Sequence, residues 1–274
     1  MDTTIGLLIA VAFGALLFEY IDASLGMGYG TALTPLLLIM GFSPVIIVPA
    51  VLLGQLAGGI VGGYFHYRAK NIKISFSEGI DFKKEKEHRG FVAWSLDTKV
   101  IFISAACGII GAIIGVTLAV NIPEVALRFY IGIMVLGMGV IILVRRNHNR
   151  SFSWLRMIEL GIISAVNKGI SGGGYGPLMT GGQILSGREV KNSIGSTTVA
   201  EVAVCVVGFL SYVFLLKGDI HWGLAAATAI GSVMAGPLAA HTVKKIEAGK
   251  LKLVVGYALV MLGALTLIKI GNFI

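Results

Sequence analysis

Lys168 stands in the stretch "AVNKGISGGGYGPLMTGGQ", residues 165–183, with apolar segments on either side. An ammonium at bilayer depth costs at least about 2.5–3.5 kcal/mol on insertion scales, so it must face a counter-charge or a polar cavity. Three consecutive glycines, 172–174, follow it and break any helix that carries it. A helix restarting near Pro177 would aim unpaired N–H groups and a partial positive charge at that break. Together these residue types are suited to hold an anion.

The same device occurs twice. Sliding "GMGYGTALTPLLLIMG" (26–41) by 146 positions onto "GGGYGPLMTGGQILSG" (172–187) matches Gly26, Gly28, Tyr29, Gly30, Thr34 and Gly41 with Gly172, Gly174, Tyr175, Gly176, Thr180 and Gly187. The ungapped register continues through Ala57/Ala203, Val61/Val207 and Gly62/Gly208. Such self-similarity marks a duplicated chain. Non-helical backbone survives at membrane depth only where protein or a water-filled cavity satisfies it. Paired broken helices near the midplane are a recurring transporter binding-site design. The expected substrate-binding residues are therefore Gly28, Tyr29, Gly30, Asn167, Lys168, Ser171, Gly173, Gly174, Tyr175 and Gly176, with helices restarting at about Thr31 and Pro177.

Other costly polar residues form an expected coupling network of Asp22, Gln55, Ser196, Thr197 and Glu201. Asp22 is the repeat mate of Lys168, and Gln55 that of Glu201. Asp22 and Lys168 are expected to meet, either as a plain ion pair or as a pair that exchanges with substrate. Glu201, mid-span, is read either as a proton carrier or as a neutral hydrogen-bonded acid. Ser196, Thr197 and Thr198 have hydroxyls that an oxyanion could use. His66, Tyr64 and Tyr67 read as interfacial anchors, and Glu124 with Arg128 as a local helix pair. Glu19 receives no role.

The elements that must position these groups follow from composition. The 274 residues are 56% hydrophobic and 13% charged, with a mean hydropathy of +0.88; soluble domains carry roughly 25% charged residues. Apolar runs at 3–24, 44–67, 99–120, 125–144, 192–216, 220–240 and 252–270 are each long enough to cross a hydrocarbon core of about 30 Å. "MDTTIG" lacks a basic n-region, so the first run is read as part of the mature protein. The net charge of +8 collects in the loops and reflects topology, not nucleic-acid binding. Those basic loops are 68–98, "RRNHNR" (145–150), "SGREVK" (186–191) and "HTVKKIEAGKLK" (241–252).

All four are cytoplasmic only if 31–41 and 177–187 fail to cross. The expected fold is thus an all-α polytopic membrane protein of two inverted repeats, 1–145 (with a cytoplasmic insertion at 68–98) and 146–274. Each repeat is a re-entrant, broken helical hairpin plus three transmembrane helices, and both termini lie outside. Cys107 and Cys205 fall within apolar spans and imply neither disulfide nor metal site. "GMGYGT" lacks the strand–helix setting of a dinucleotide fingerprint, no Walker motif is present, and no cofactor or metal is expected.

The segments "DASLGMGYGTALTPLLLIMGFSP" and "NKGISGGGYGPLMTGGQILSG", each followed by a span rich in small residues, resemble the TauE/SafE sulfite-exporter family, also called toluene sulfonate uptake permeases. The resemblance covers nearly the full chain. It implies a bacterial cytoplasmic (inner) membrane location and secondary transport, commonly export, of sulfur-containing anions such as sulfite, sulfoacetate or other organosulfonates. The implied partners are a small anionic substrate and membrane lipid, without nucleic acid; a homo-oligomer is left open. Met27 stands where the second motif has Gly173. The alternatives are an anion channel of similar selectivity, an uptake permease for another small organic anion, and a membrane enzyme or scaffold.

Overall fold

The computed structural model describes residues 4–77, 94–144, 152–242 and 248–271. These form ten helices and no strand: α1 (Ile5–Leu25), α2 (Tyr29–Ile39), α3 (Pro44–Arg68), α4 (Leu96–Asn121), α5 (Glu124–Val144), α6 (Trp154–Ser171), α7 (Tyr175–Leu185), α8 (Val190–Leu215), α9 (Trp222–Thr242) and α10 (Ala248–Gly271). Seven of them, all but α2, α6 and α7, are long and apolar enough to cross a membrane, and they coincide with the seven apolar runs. Most of the expected 68–98 insertion, the 145–150 stretch and residues 243–247 lie outside the described residues.

Polarity is distributed as hydrocarbon demands. Ile5, Ile9, Phe13 and Leu17 form an exposed stripe along α1, while Glu19, Asp22, Gln55, Lys168 and Glu201 are buried within the bundle. A protein solvated by lipid has no reason to hide its aliphatic side chains, but must hide its charges.

Both breaks are three residues long and lie in the same register, 26–28 and 172–174. Gly26 and Gly172 end α1 and α6 in the left-handed conformation, at φ 71° and 73°, and their N–H groups bond back to the carbonyls of Asp22 and Lys168. Gly28 and Gly174 precede the next helices at φ 136° and 82°, where a side chain would be strained. The helices restart at Tyr29 and Tyr175, two residues earlier than the sequence suggested. Pro177 therefore takes the third helical position, still within the first turn, where its missing N–H costs nothing.

The two short helices have eleven residues each and span about 16 Å, half a bilayer. Gly14 of α1 faces Leu36 of α2, and 146 residues on Leu160 of α6 faces Gly182 of α7. At one end of the bundle Leu8 reaches Gly223, the Phe42 ring meets His221, and Arg128 donates to the Phe42 carbonyl. The start of α1 and the end of α2 thus share that end. At the other end Arg188 pairs with Asp97, whose carboxylate also accepts from the Lys73 N–H, and Ile72 lies against Gly195.

The halves are interlaced. α4 packs on α6 and α8, α9 packs on α1 and α3, α3 meets α8, and α5 pairs with α10. Small residues permit these approaches: a Cβ on Gly115 would stand 2.2 Å from the Val166 carbonyl oxygen, and one on Gly231 2.0 Å from that of Ala12.

Gly30→Ala is expected to lower stability by about 1–3 kcal/mol or more, since its methyl would fall 1.8 Å from the Gly172 carbonyl oxygen. Gly181→Ala, in open space within α7, should be neutral or raise stability by up to about 1 kcal/mol. Thermal unfolding of the two variants in one detergent compares them, and equal midpoints would contradict the close contact of the breaks.

Candidate functional site

The two glycine breaks touch, backbone on backbone. A Cβ on Gly30 would overlap the Gly172 carbonyl, and one on Gly176 would lie 2.4 Å from the Gly26 carbonyl oxygen. These two contacts are equivalent under the 146-residue shift. A Cβ on Gly173 would be 2.6 Å from the Thr31 nitrogen, which explains why no larger residue stands there. The Gly174 N–H crosses between the halves to the Thr31 hydroxyl at 3.0 Å. Residues 28–30 and 174–176 are all buried.

A chain of four side chains runs beside the breaks. Lys168 Nζ donates to Glu201 Oε1 at 2.8 Å and to Gln55 Oε1 at 2.6 Å. Gln55 Nε2 donates to Asp22 Oδ2 at 2.8 Å, and Asp22 Oδ1 accepts the Tyr29 N–H at 3.2 Å. The four are two repeat pairs: Asp22 with Gln55 in the first half corresponds to Lys168 with Glu201 in the second. Each pair bridges an arm before a break to the helix after the hairpin, and the Gln55–Lys168 bond joins the halves.

This differs from the expected Asp22–Lys168 contact. Lys168 is 1% exposed and takes Glu201 as its counter-ion, while Gln55 separates it from Asp22. The reason is register: a spacing of 33 residues puts the mates of one half on facing helices, so each half satisfies itself first. Asp22 instead accepts the first N–H of α2, where a carboxylate complements the helix N-terminus.

Other expected residues are placed as follows. Asn167 Oδ1 accepts from the Tyr130 hydroxyl, and its amide nitrogen lies against Gly174. Ser171 Oγ donates to the Asn167 carbonyl at 2.8 Å and accepts the Gly173 N–H at 3.1 Å, closing the second break locally. The Tyr29 and Tyr175 rings are buried but lead away from the meeting of the breaks: the Tyr29 hydroxyl lies against Gly54, and that of Tyr175 toward Gly108. Ser196 and Thr197 serve a different group. Gln183 Nε2 donates to Thr197 Oγ1 at 2.9 Å, Ser196 Oγ donates to Gln183 Oε1 at 2.9 Å, and Arg188 donates to both Gln183 Oε1 and Ser196 Oγ.

Reading the sequence missed that second network and Tyr130. Arg188 and Asp97 sit near helix ends, where charge is ordinary, so nothing in their local sequence announced a buried pair. His66 is also corrected. It is fully buried, with Nε2 donating to the Ala23 carbonyl at 2.9 Å and Nδ1 accepting from Asn71 at 3.0 Å, whereas Tyr64 and Tyr67 are exposed as expected of interfacial anchors. Glu124 and Arg128 form the expected local pair, at 2.5 Å.

Glu201→Gln is expected to lose about 3–5 kcal/mol of stability by leaving the Lys168 charge unpaired. The double variant Lys168→Met, Glu201→Gln should recover much of that loss. Unfolding of wild type, both single variants and the double variant completes the cycle; additive effects would mean the two groups are not coupled.

The sequence comparisons agree with this architecture. The family model described as Sulfite exporter TauE/SafE matches residues 88–266. The chain is similar to the probable membrane transporter protein YtnM of Bacillus subtilis (strain 168), 27% identical over 279 residues that cover 96% of this chain and 83% of the relative. No solved structure matches it. With seven apolar helices of spanning length and a family match across more than half its length, this multi-pass membrane protein belongs to the TauE/SafE sulfite exporter family of membrane transporters.

Proposed function

We propose that the chain is a secondary transporter of sulfur-containing anions such as sulfite or an organosulfonate, in the bacterial inner membrane. The anion sits where the two breaks meet, held by Lys168, Asn167 and the N–H groups that open α2 and α7. The observation that carries this reading is Lys168 itself: an ammonium 1% exposed, beside a helix break, with one carboxylate as its ionic partner.

In the conformation described, the protein's own groups occupy the positions an oxyanion would take. Asp22 accepts the first N–H of α2, the Thr31 hydroxyl accepts the Gly174 N–H, and Glu201 accepts from Lys168. An entering sulfonate or sulfite offers three oxygens as replacement acceptors. The breaks must part to admit it, because their backbones are in contact. Alternating access then follows from the motion of one hairpin, α1–α2 or α6–α7, against the other.

The inverted arrangement of 1–145 and 146–274, with both termini outside, is part of the same proposal. It is supported by the shared end of α1 and α2, by the basic character of the Arg188 end, and by the equivalent contacts at the two breaks.

Lys168→Ala should weaken sulfite or sulfoacetate binding to the purified protein at least about tenfold, since a hydrogen bond to a charged group contributes roughly 1.5–3 kcal/mol. Unaltered affinity for both anions removes this site. Wild-type proteoliposomes should show saturable uptake and exchange of labelled sulfite; large non-saturating currents would identify a channel instead.

A further inference from the structure

Glu19 stands one turn before Asp22 on α1, yet is absent from the chain of hydrogen bonds beside the breaks. It is 1% exposed, and its Oε2 is buried with no hydrogen-bond partner among the described residues. Its carboxyl lies against Gly58 of α3, where a Cβ would come within 2.7 Å of it, and the same point is 2.8 Å from Ser232 Cβ of α9. The Ser232 and Tyr29 hydroxyls, both buried, converge on this space, that of Tyr29 lying beside Ser232 and Thr228 along the Gly54–Gly58 face.

The charges around it do not balance. The titratable groups that face Glu19 are Asp22 on its own helix, Lys168 of α6, Glu201 and Cys205 of α8, and Tyr29 at the start of α2; α3 and α9 contribute Gln55, Thr228 and Ser232, which do not titrate. Three carboxyl groups thus share one ammonium. Glu201 takes the ammonium, and Asp22 takes two N–H donors, one of them at a helix N-terminus. Glu19 has neither, and an unpaired carboxylate in a dry bundle is too costly to persist.

The duplicated half does without such a group. At the equivalent positions Ala165 replaces Glu19 and Val204 replaces Gly58, and both pack with Tyr175 in an apolar cluster completed by Val100, Ala112, Met157 and Met179. The fold therefore tolerates an apolar filling here. Glu19 and the glycine that makes room for it are an addition specific to the first half.

Resting on the transporter reading above, we propose that Glu19 is the proton-binding site that couples anion movement to the proton gradient. The O–H bond forms at Glu19 Oε2 with a proton taken from water on one side, and the Tyr29 and Ser232 hydroxyls surround it. The protonated acid removes one negative charge from the cluster, so that an anion can join Lys168. When the site opens to the other side the O–H bond breaks and the proton returns to water, and the restored carboxylate disfavours renewed anion binding.

Infrared spectroscopy of the purified full chain in nanodiscs tests the protonation without any substrate. Wild type should show the carbonyl stretch of a protonated acid that shifts on deuteration; Glu19→Gln should lose it, and Glu201→Gln should keep it. Persistence of the band in Glu19→Gln, or its absence from wild type, overturns the proposal. In proteoliposomes, Glu19→Gln should retain sulfite–sulfite exchange but lose at least tenfold in sulfite accumulation driven by a pH gradient, and Glu19→Asp should restore accumulation in part. Accumulation at the wild-type level in Glu19→Gln, or wild-type accumulation driven by a sodium gradient alone, also overturns it. If wild type moves neither sulfite nor sulfoacetate, the substrate reading fails, and the infrared band still decides the proton site.

Discussion

An ammonium held inside a lipid-solvated bundle is the constraint around which this molecule is arranged. Lys168 needs an acid within bonding distance, and α8 supplies Glu201; it needs a neutral acceptor as well, and α3 supplies Gln55. Those requirements bring α3, α6 and α8 to one point. The same point is where two helices stop and restart, because only glycine backbones approach closely enough to let side chains of both halves meet there.

The matching register of the two halves shows how such a centre is assembled from modest parts. Each half carries an arm, a three-residue break, a half-length helix and a partner across 33 residues. The two halves differ in their charges: aspartate and glutamine in the first, lysine and glutamate in the second. Two self-satisfied pairs face each other across a single hydrogen bond from Lys168 to Gln55.

Away from the breaks, the bundle separates two kinds of polar work. Asp97, Gln183, Arg188 and Ser196 tie α4, α7 and α8 together at one end. Arg128 and Lys269 cap the carbonyls of Phe42 and Ile39 at the other, around a cleft of about 370 Å³ that Glu124 and Thr266 also line. Lys168 and its neighbours lie between these two tied ends. α4 and α9, each packed on the opposite half, bind the halves into one body.

Much of this was legible beforehand. Seven spans, two breaks at glycine and the company of Asp22, Gln55, Lys168 and Glu201 follow from hydropathy length, from positive-φ residues and from the expense of charge in hydrocarbon, which are local properties of the chain. Partnership was not legible. Lys168 meets Glu201 and not Asp22, Ser196 and Thr197 serve Gln183, and His66 is sealed against Ala23, because contacts between distant segments depend on how helices rotate and slide when packed. Glu19 shows the division most clearly: its letter in the sequence announces only a cost, and only its three-dimensional company of Gly58, Tyr29 and Ser232 reveals that its Oε2 meets no hydrogen-bond partner among the described residues. Local chemistry determined which residues had to be hidden, and tertiary packing decided beside whom, since burial is a demand each residue makes alone while a counter-charge must be delivered by another part of the fold.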